Sequence, residues 1–259
     1  MLKFCSLYSS SSGNCLLVKS NNTNILIDAG VSCKKITNAL ADLYIDIAEV
    51  DAVLITHEHS DHISSLPTLS KKFNIPIYTT LKTWNAINNQ KIQNNHFFNI
   101  GEEFVIGDLK IHPFSIPHDA ADPCGFNIWS SGTKISIATD IGHMSPDIIN
   151  YLKDSSFVFL EANHDPEILK CCPYPYFLKE RILGNRGHLS NNTAGQTISE
   201  LTKSGLKNVM LGHLSKENNF PELAYNTVVE VLNLNNIDLN SLNLSVASRT
   251  EPSGFIEVS

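Results

Sequence analysis

The chain has 259 residues, of which 42% are hydrophobic and 17% charged, with a formal net charge of −7. That is the composition of a soluble globular protein with enough length to bury a sizeable core. It argues against an indiscriminate nucleic-acid coat protein, and no apolar run approaches the ~20 residues that span a bilayer.

The first eight residues alternate and turn polar early, which predicts a strand rather than a secretory leader. Cysteines stand at 5, 15, 33, 124, 171 and 172, with no C-x-x-C among them, so reduced thiols and a cytoplasmic location are expected. Cys124 is the one cysteine considered as a metal ligand. Residues 2–7, 15–19 and 24–28 read as three strands. The Ser-rich turn through Ser11, Ser12, Gly13 and Asn14 joins the first two, and its hydroxyl, amide and backbone donors suit a phosphate as well as a flexible turn. Ser32 caps a helix running to about Leu43. Residues 52–55, rich in β-branched side chains, predict a buried strand.

That strand runs straight into Thr56-His57-Glu58-His59-Ser60-Asp61-His62. Neutral imidazole and carboxylate are the usual ligands of zinc and similar divalent metals, so H-x-H-x-D-H marks a metal-binding stretch. His57 and His59 would diverge on a helix, so they must converge from an extended segment. Asp61 and His62 then open a helix, with Asp61 as its cap. Further helices are expected around 66–73 and from 81, a strand at 76–79, and a polar loop over 88–95. In the second half, extended runs at 111–117, 134–139, 156–161 and 208–212 release His118, Asp140, the Asn163-His164-Asp165 group and His213. Helices are expected at 145–152, 174–183, 191–203 and 221–232, then strands near 242–247 and 253–258. Strands that release His or Asp at their carboxyl ends suggest two face-to-face sheets with helices outside, as one domain over residues 1–259.

His57-x-His59-x-Asp61-His62, His118, Asp140 and His213 resemble the ordered motifs of the metallo-β-lactamase superfamily. Ser-Gly-Asn-Cys near the start, Pro117-His118-Asp119-Ala120, Glu161-Ala162-Asn163-His164-Asp165, Gly187-His188-Leu189-Ser190 and Gly212-His213-Leu214-Ser215 resemble its YycJ/WalJ-like branch. The resemblance implies a four-layer αββα sandwich, an α/β fold. It also implies a two-metal site at one sheet edge, and a 5′-to-3′ DNA exonuclease using manganese or zinc. The segment between Asp140 and His213 is too short for the β-CASP domain of the larger nucleases, and 164–187 lacks the tRNA-gripping arm of tRNase Z.

On this reading His57, His59 and His118 hold one metal, Asp61, His62 and His213 the other, and Asp140 bridges them. A shared hydroxide of lowered pKa is the nucleophile, and Asp61 also orients it. His/Asp donors accept manganese, zinc or iron alike. His188 is the candidate general acid or phosphate-gripping imidazolium, the alternative being a cap on the helix that follows. His164 either contacts substrate or is structural. His143 stands behind the ligands or on the surface. Asp28 receives a ligand imidazole's second N–H or simply forms a turn. The expected partner is DNA. The alternatives are a small-molecule ester, thioester or lactone hydrolase on the same metals, and a non-catalytic metal-bound regulatory module.

Overall fold

The computed structural model describes residues 1–87 and 91–258. The first half runs β1 (Leu2–Tyr8), β2 (Cys15–Lys19), β3 (Asn24–Ile27), α1 (Cys33–Asp42), β4 (Ala52–Leu54), α2 (Ser60–Ile63), α3 (Leu66–Phe73), β5 (Ile77–Thr79), α4 (Leu81–Ile87) and β6 (Asn95–Phe97). The second half runs β7 (Phe104–Ile106), β8 (Leu109–Ser115), β9 (Cys124–Ser130), β10 (Thr133–Ala138), α5 (Pro146–Leu152), β11 (Phe157–Glu161), α6 (Pro166–Cys171), α7 (Tyr176–Leu183), α8 (Asn191–Thr202), β12 (Asn208–Gly212), α9 (Pro221–Leu234), β13 (Asn243–Val246) and β14 (Ile256–Val258).

The strands form two seven-stranded sheets, ordered β14-β1-β2-β3-β4-β5-β6 and β13-β12-β11-β10-β9-β8-β7. Their inner faces close on one apolar layer in which Phe4 lies 4.6 Å from the Phe157 ring and 5.3 Å from Phe159. A second cluster seats α5, α8 and α9 on the outer face of one sheet, and a third seats α1 and α3 on the other. The order is therefore helix, sheet, sheet, helix. β3 to β6 run parallel, as do β10 to β13. Parallel strands covered on both faces read as continuous apolar runs, which is why β3, β4 and β11 stand out in the sequence.

The caps explain several boundaries. Ser32 accepts from Lys35 N–H at the start of α1, Gly184 ends α7, and Asn74 closes α3 in the left-handed conformation. Three strands and one helix had no sequence signal. β9 is buried on both faces, so its residues show no period of two. β6 and β7 have three residues each. β6 begins at Asn95, inside the stretch expected to be a loop, of which residues 88–90 lie outside the described residues. α6 is a short helix capped by Asp165, which accepts from Glu167 and Ile168 N–H. Cys124 is buried in β9, with its thiol 3.6 Å from the Thr56 carbonyl, and belongs to none of the donor clusters among the described residues. The other cysteines are free thiols too. Among the described residues no helix is long and apolar enough to cross a membrane.

Within each sheet the parallel register places the carboxyl ends of β3 and β4, and of β8, β10, β11 and β12, on the same side. The functional cluster is assembled at that common edge.

Candidate metal centre

Each strand end turns sharply to deliver its side chain. Asp28 after β3, Asp140 after β10 and His213 after β12 have φ of 62°, 59° and 55°. A side chain in this left-handed region costs roughly 1–2 kcal/mol, and here three are held at one edge. After β4, His59 keeps an extended backbone (φ −62°, ψ 147°) before the single turn of α2 begins at Ser60. His57 and His59 thus lie on an extended segment. The expectation that Asp61 caps the helix is corrected: the cap position is His59, without a side-chain cap bond, and Asp61 sits in the first turn. Its carboxylate turns toward the imidazoles instead, with Oδ2 3.4 Å from His62 Nε2 and 3.5 Å from His213 Nε2.

Four overlapping donor groups result among the described residues, two of them the expected ones and another made of Asp140, Glu161, His188 and His213. His57 Nε2 lies 3.0 Å from His59 Nδ1, which is 3.3 Å from His118 Nε2. Asp61, His62 and His213 form the second group. Asp140 stands between them, with Oδ2 3.4 Å from His62 Nε2 and Oδ1 3.8 Å from His118 Nε2. The far side of four of the five imidazoles is already occupied. Asp28 Oδ2 lies 2.7 Å from His62 Nδ1, the Gly187 carbonyl 3.2 Å from His118 Nδ1, Thr56 Oγ1 3.0 Å from His57 Nδ1, and Glu161 Oε1 2.8 Å from His213 Nδ1. Acceptors on Nδ1 hold a proton there, so the Nε2 atoms of His57, His62, His118 and His213 all point inward. His59 points its Nδ1 to the same place.

These groups fit divalent cations. Asp140 Oδ2 and His213 Nε2 are buried and have no hydrogen-bond partner, a costly state that a metal ion relieves. The electrostatics agree. Burial opposes the charge on Asp140, but His213, His62, His57 and His118 outweigh it and hold its carboxyl well below the usual range. Asp61 is lowered in the same way by His213 and His62 against its burial. Burial, with His62 beside it, lowers the His57 pKa, and burial also lowers His118. Against burial, Asp28 and Asp140 raise His62, and Asp140, Asp61 and Glu161 push His213 up to about 10. Protons on His62 and His213 thus balance the carboxylates, and a cation held by these residues would have to displace them, so its binding would weaken as pH falls.

Glu161, at the end of β11, is the residue whose part sequence reading missed. It is fully buried. Its Oε2 accepts from Ile141 and Leu189 N–H, each at 2.9 Å, and its Oε1 lies 2.8 Å from both His188 Nδ1 and His213 Nδ1. Burial resists ionisation, but His188 and His213 bring its pKa down to about 2. Ser190, not His188, caps α8, accepting from Thr193 N–H. His188 is left with Nδ1 on Glu161 and its ring on a cavity of about 240 Å³ that Ser11, His59, Asp61, Asp140 and His213 also line.

The remaining candidates separate. Asp28 accepts from the Thr56 amide at 2.9 Å as well as from His62. Asn14 does not face the cavity freely: its side-chain amide lies 3.3 Å from His62 Nε2 and 3.4 Å from the Asp61 carbonyl, bracing the loop that carries His57 to His62. Ser11 lines the cavity. Ser12 is exposed and pairs with the Ser10 hydroxyl at 2.9 Å, outside the cavity lining. Ser9, unnoticed in the sequence, accepts from His213 N–H at 2.8 Å. His143 is exposed and meets the Asn185 carbonyl at 3.0 Å, so the expectation that it stands behind the ligands is corrected. His164 is buried, with Nδ1 unpartnered, beside His188 in a neighbouring cavity of about 350 Å³.

Burial brings the His164 pKa down to about 4. Its folded pKa lies below the unfolded value of about 6.5, so its neutral form favours the fold above that pH and the advantage is lost as pH falls toward 4. Between pH 7 and pH 5 the loss is about 2 kcal/mol by linkage. Urea unfolding of His164→Asn at the two pH values should show a pH-dependent loss smaller than the parent's by about that amount. Equal losses would remove His164 as the cause.

Residues 23–214 match the model of the β-lactamase superfamily domain. Exodeoxyribonuclease WalJ of Streptococcus pneumoniae is 38% identical over 236 residues, covering 89% of this chain and 88% of the relative. Exodeoxyribonuclease YycJ of Bacillus anthracis is 35% identical over 235 residues, covering 89% of each. The solved structure of the metallo-β-lactamase fold protein YhfI from Bacillus subtilis superposes with a TM-score of 0.71 over 97% of this chain and 98% of that one, at 14% identity, a likeness of fold. The chain therefore belongs to the β-lactamase superfamily, as a hydrolase on the metallo-β-lactamase fold related to WalJ and YycJ.

Proposed function

We propose that this protein is a two-metal DNA exonuclease that digests in the 5′-to-3′ direction. The observation that carries the reading is the pair of donor groups meeting on one buried carboxylate, Asp140, with the His188 imidazole on the wall of the same cavity. Its two similar relatives carry the name exodeoxyribonuclease, and the direction follows the branch that the motifs resemble.

His57, His59 and His118 would hold one ion, Asp61, His62 and His213 the other, with Asp140 between them. Manganese and zinc both suit these donors, and iron is compatible. When bound, the ions supply a water-derived nucleophile at neutral pH and charge to offset the phosphate oxygens. Asp61, at the cavity wall, orients the attacking water. Glu161 accepts the Nδ1 proton of His188, which leaves Nε2 on the opposite edge of the ring to protonate the departing sugar oxygen. A sugar alkoxide needs that proton, because it is otherwise a poor leaving group. Ser11, on the rim, is placed to donate to a phosphate oxygen.

The test is a panel of 5′- and 3′-labelled single- and double-stranded DNA and RNA, with manganese and zinc compared. The expected result is stepwise shortening of 3′-labelled DNA and immediate release of the 5′ label as a mononucleotide. Turnover of a thioester or lactone with no cleavage of any DNA would establish the small-molecule reading instead. His188→Ala should lower kcat on DNA by about 10²- to 10⁴-fold. It should cost far less on bis(p-nitrophenyl) phosphate, whose leaving group needs no proton. Unchanged kcat on DNA would remove His188 as the acid.

A further inference from the structure

Helix α7 joins two surfaces that the metal chemistry does not explain. Its inner edge supplies Leu178, Arg181 and Ile182 to the wall of the metal-centre cavity. Its outer edge presents Tyr176 and Phe177, which are 76% and 74% exposed. No residue of this helix is buried. Neighbouring residues on a helix point about 100° apart, so the rings splay rather than shield each other. Among the described residues neither ring meets another aromatic ring. Two consecutive large apolar side chains held in water mark a surface awaiting a partner.

The position and the charges say which partner. Arg181 sits one helical turn beyond the rings, at the rim of the cavity. Its Nε donates to Asp119 at 2.5 Å, which fixes the guanidinium, while its Nη groups have no hydrogen-bond partner among the described residues. A fork held by one edge with its other donors free is the geometry that receives phosphate. Lys179 adds a second cation, its Nζ donating to the Lys170 carbonyl at 2.6 Å, so that Lys179 and Arg181 balance the carboxylates of Glu180 and Asp119. The chain's net charge of −7 leaves little general electrostatic attraction for a polyanion, so a grip on DNA has to come from local contacts. Aromatic faces supply such a grip without reading sequence, because every base has a face to stack.

We propose that α7 is the single-strand platform of this enzyme: bases of a DNA strand leading to the metal centre stack on Tyr176 and Phe177, and Arg181 takes the phosphate between them and the cavity. The proposal rests on the exonuclease reading. It adds that the enzyme grips its substrate as a single strand, one short step along the helix from the site of cleavage.

The test is the double variant Tyr176→Ala/Phe177→Ala, with Tyr176→Trp/Phe177→Trp as the conservative counterpart. On a single-stranded oligothymidylate, KM should rise by about 5- to 150-fold per ring removed, with kcat on bis(p-nitrophenyl) phosphate unchanged and the Trp variant close to the parent. An unchanged KM overturns the platform, as does a loss on the small phosphodiester that matches the loss on DNA. Light scattering is the second measurement. A parent dimer that the double variant breaks, with KM unchanged, assigns the face to a second copy of the chain and overturns the proposal. Anisotropy of a fluorescent oligothymidylate with the unreacted protein separates the two readings. Binding that the Ala variant weakens supports the platform even if no DNA is cleaved, and binding that it leaves intact overturns it even if DNA is cleaved.

Discussion

Glu161→Gln is expected to lower metal affinity by about 10- to 100-fold and to lower kcat at saturating metal by a similar factor, although Glu161 belongs to neither donor group proposed for the ions. A carboxylate has about four lone-pair sites, and Glu161 fills them with two backbone amides and two imidazoles. An amide of the same shape has one oxygen and one NH₂ group. If the oxygen stays with Ile141 and Leu189, the NH₂ group faces His188 Nδ1 and His213 Nδ1. Both rings must then carry their proton on Nε2. For His213 that puts a proton where a lone pair is needed for a cation. For His188 it removes the acceptor that supports the imidazolium. If the amide flips, two buried N–H groups lose their acceptor at about 1–3 kcal/mol each. Metal titration against a competing chelator, kcat on DNA and the thermal midpoint report the three consequences separately. Parental metal affinity in the Gln variant would end the argument.

The ionised state of Glu161 also has a sign. Its folded pKa of about 2 lies below the ordinary value of 4.5, so the stability it contributes is fully present above pH 4.5 and is lost as pH falls through 2. His164 moves in the same direction over a higher window, between 6.5 and 4, because burial favours its neutral form. The acid limb of the stability curve should therefore begin with the histidine and steepen with the carboxylate.

The legibility of this site in the sequence follows the distance over which each residue acts. His57, His59, Asp61 and His62 are neighbours in the chain, so their convergence can be read from spacing alone. His118, Asp140 and His213 are single residues at strand ends, and only ordered motifs tie them to the first group. Glu161 ends a buried apolar strand and looks like part of it. Its role comes from imidazoles 27 and 52 positions away, a relation that no local pattern carries. Asn14 and Ser9 are similar: the turn reads as a phosphate loop, yet two of its polar groups brace His62 and His213. The fold divides in the same way. Parallel strands with a turn and a His or Asp at the end were visible, whereas β9, buried on both faces and carrying Gly125 as its second residue, gave neither alternation nor an end signal.

Gly30→Ala should destabilise the protein by about 3 kcal/mol, a fall of about 6–12 °C in Tm for a domain of this size, and should reduce bound metal in the fraction that stays folded. Gly30 has an ordinary negative-φ backbone, so conformational freedom is not the reason. The reason is space. A Cβ at this position would stand 1.6 Å from the Asp61 carbonyl oxygen and 2.8 Å from the His62 amide nitrogen. Neither segment can step aside cheaply. Gly30 N–H donates to the Asn14 carbonyl and its own carbonyl accepts from Ser64, while Ala29 N–H donates to the His62 carbonyl and Asn14 N–H to the Asp61 carbonyl. The loop after β3, the turn after β1 and the His57–His62 loop after β4 are thus tied to each other at one glycine. Relief of the clash has to move Asp61 and His62, which are two members of one donor group. Stability and metal content should consequently fall together, whereas an ordinary core overpacking mutation would lower stability alone. Metal analysis of folded Gly30→Ala protein beside its urea midpoint decides the matter: full metal content at reduced stability would show that the loop shifts without carrying its ligands.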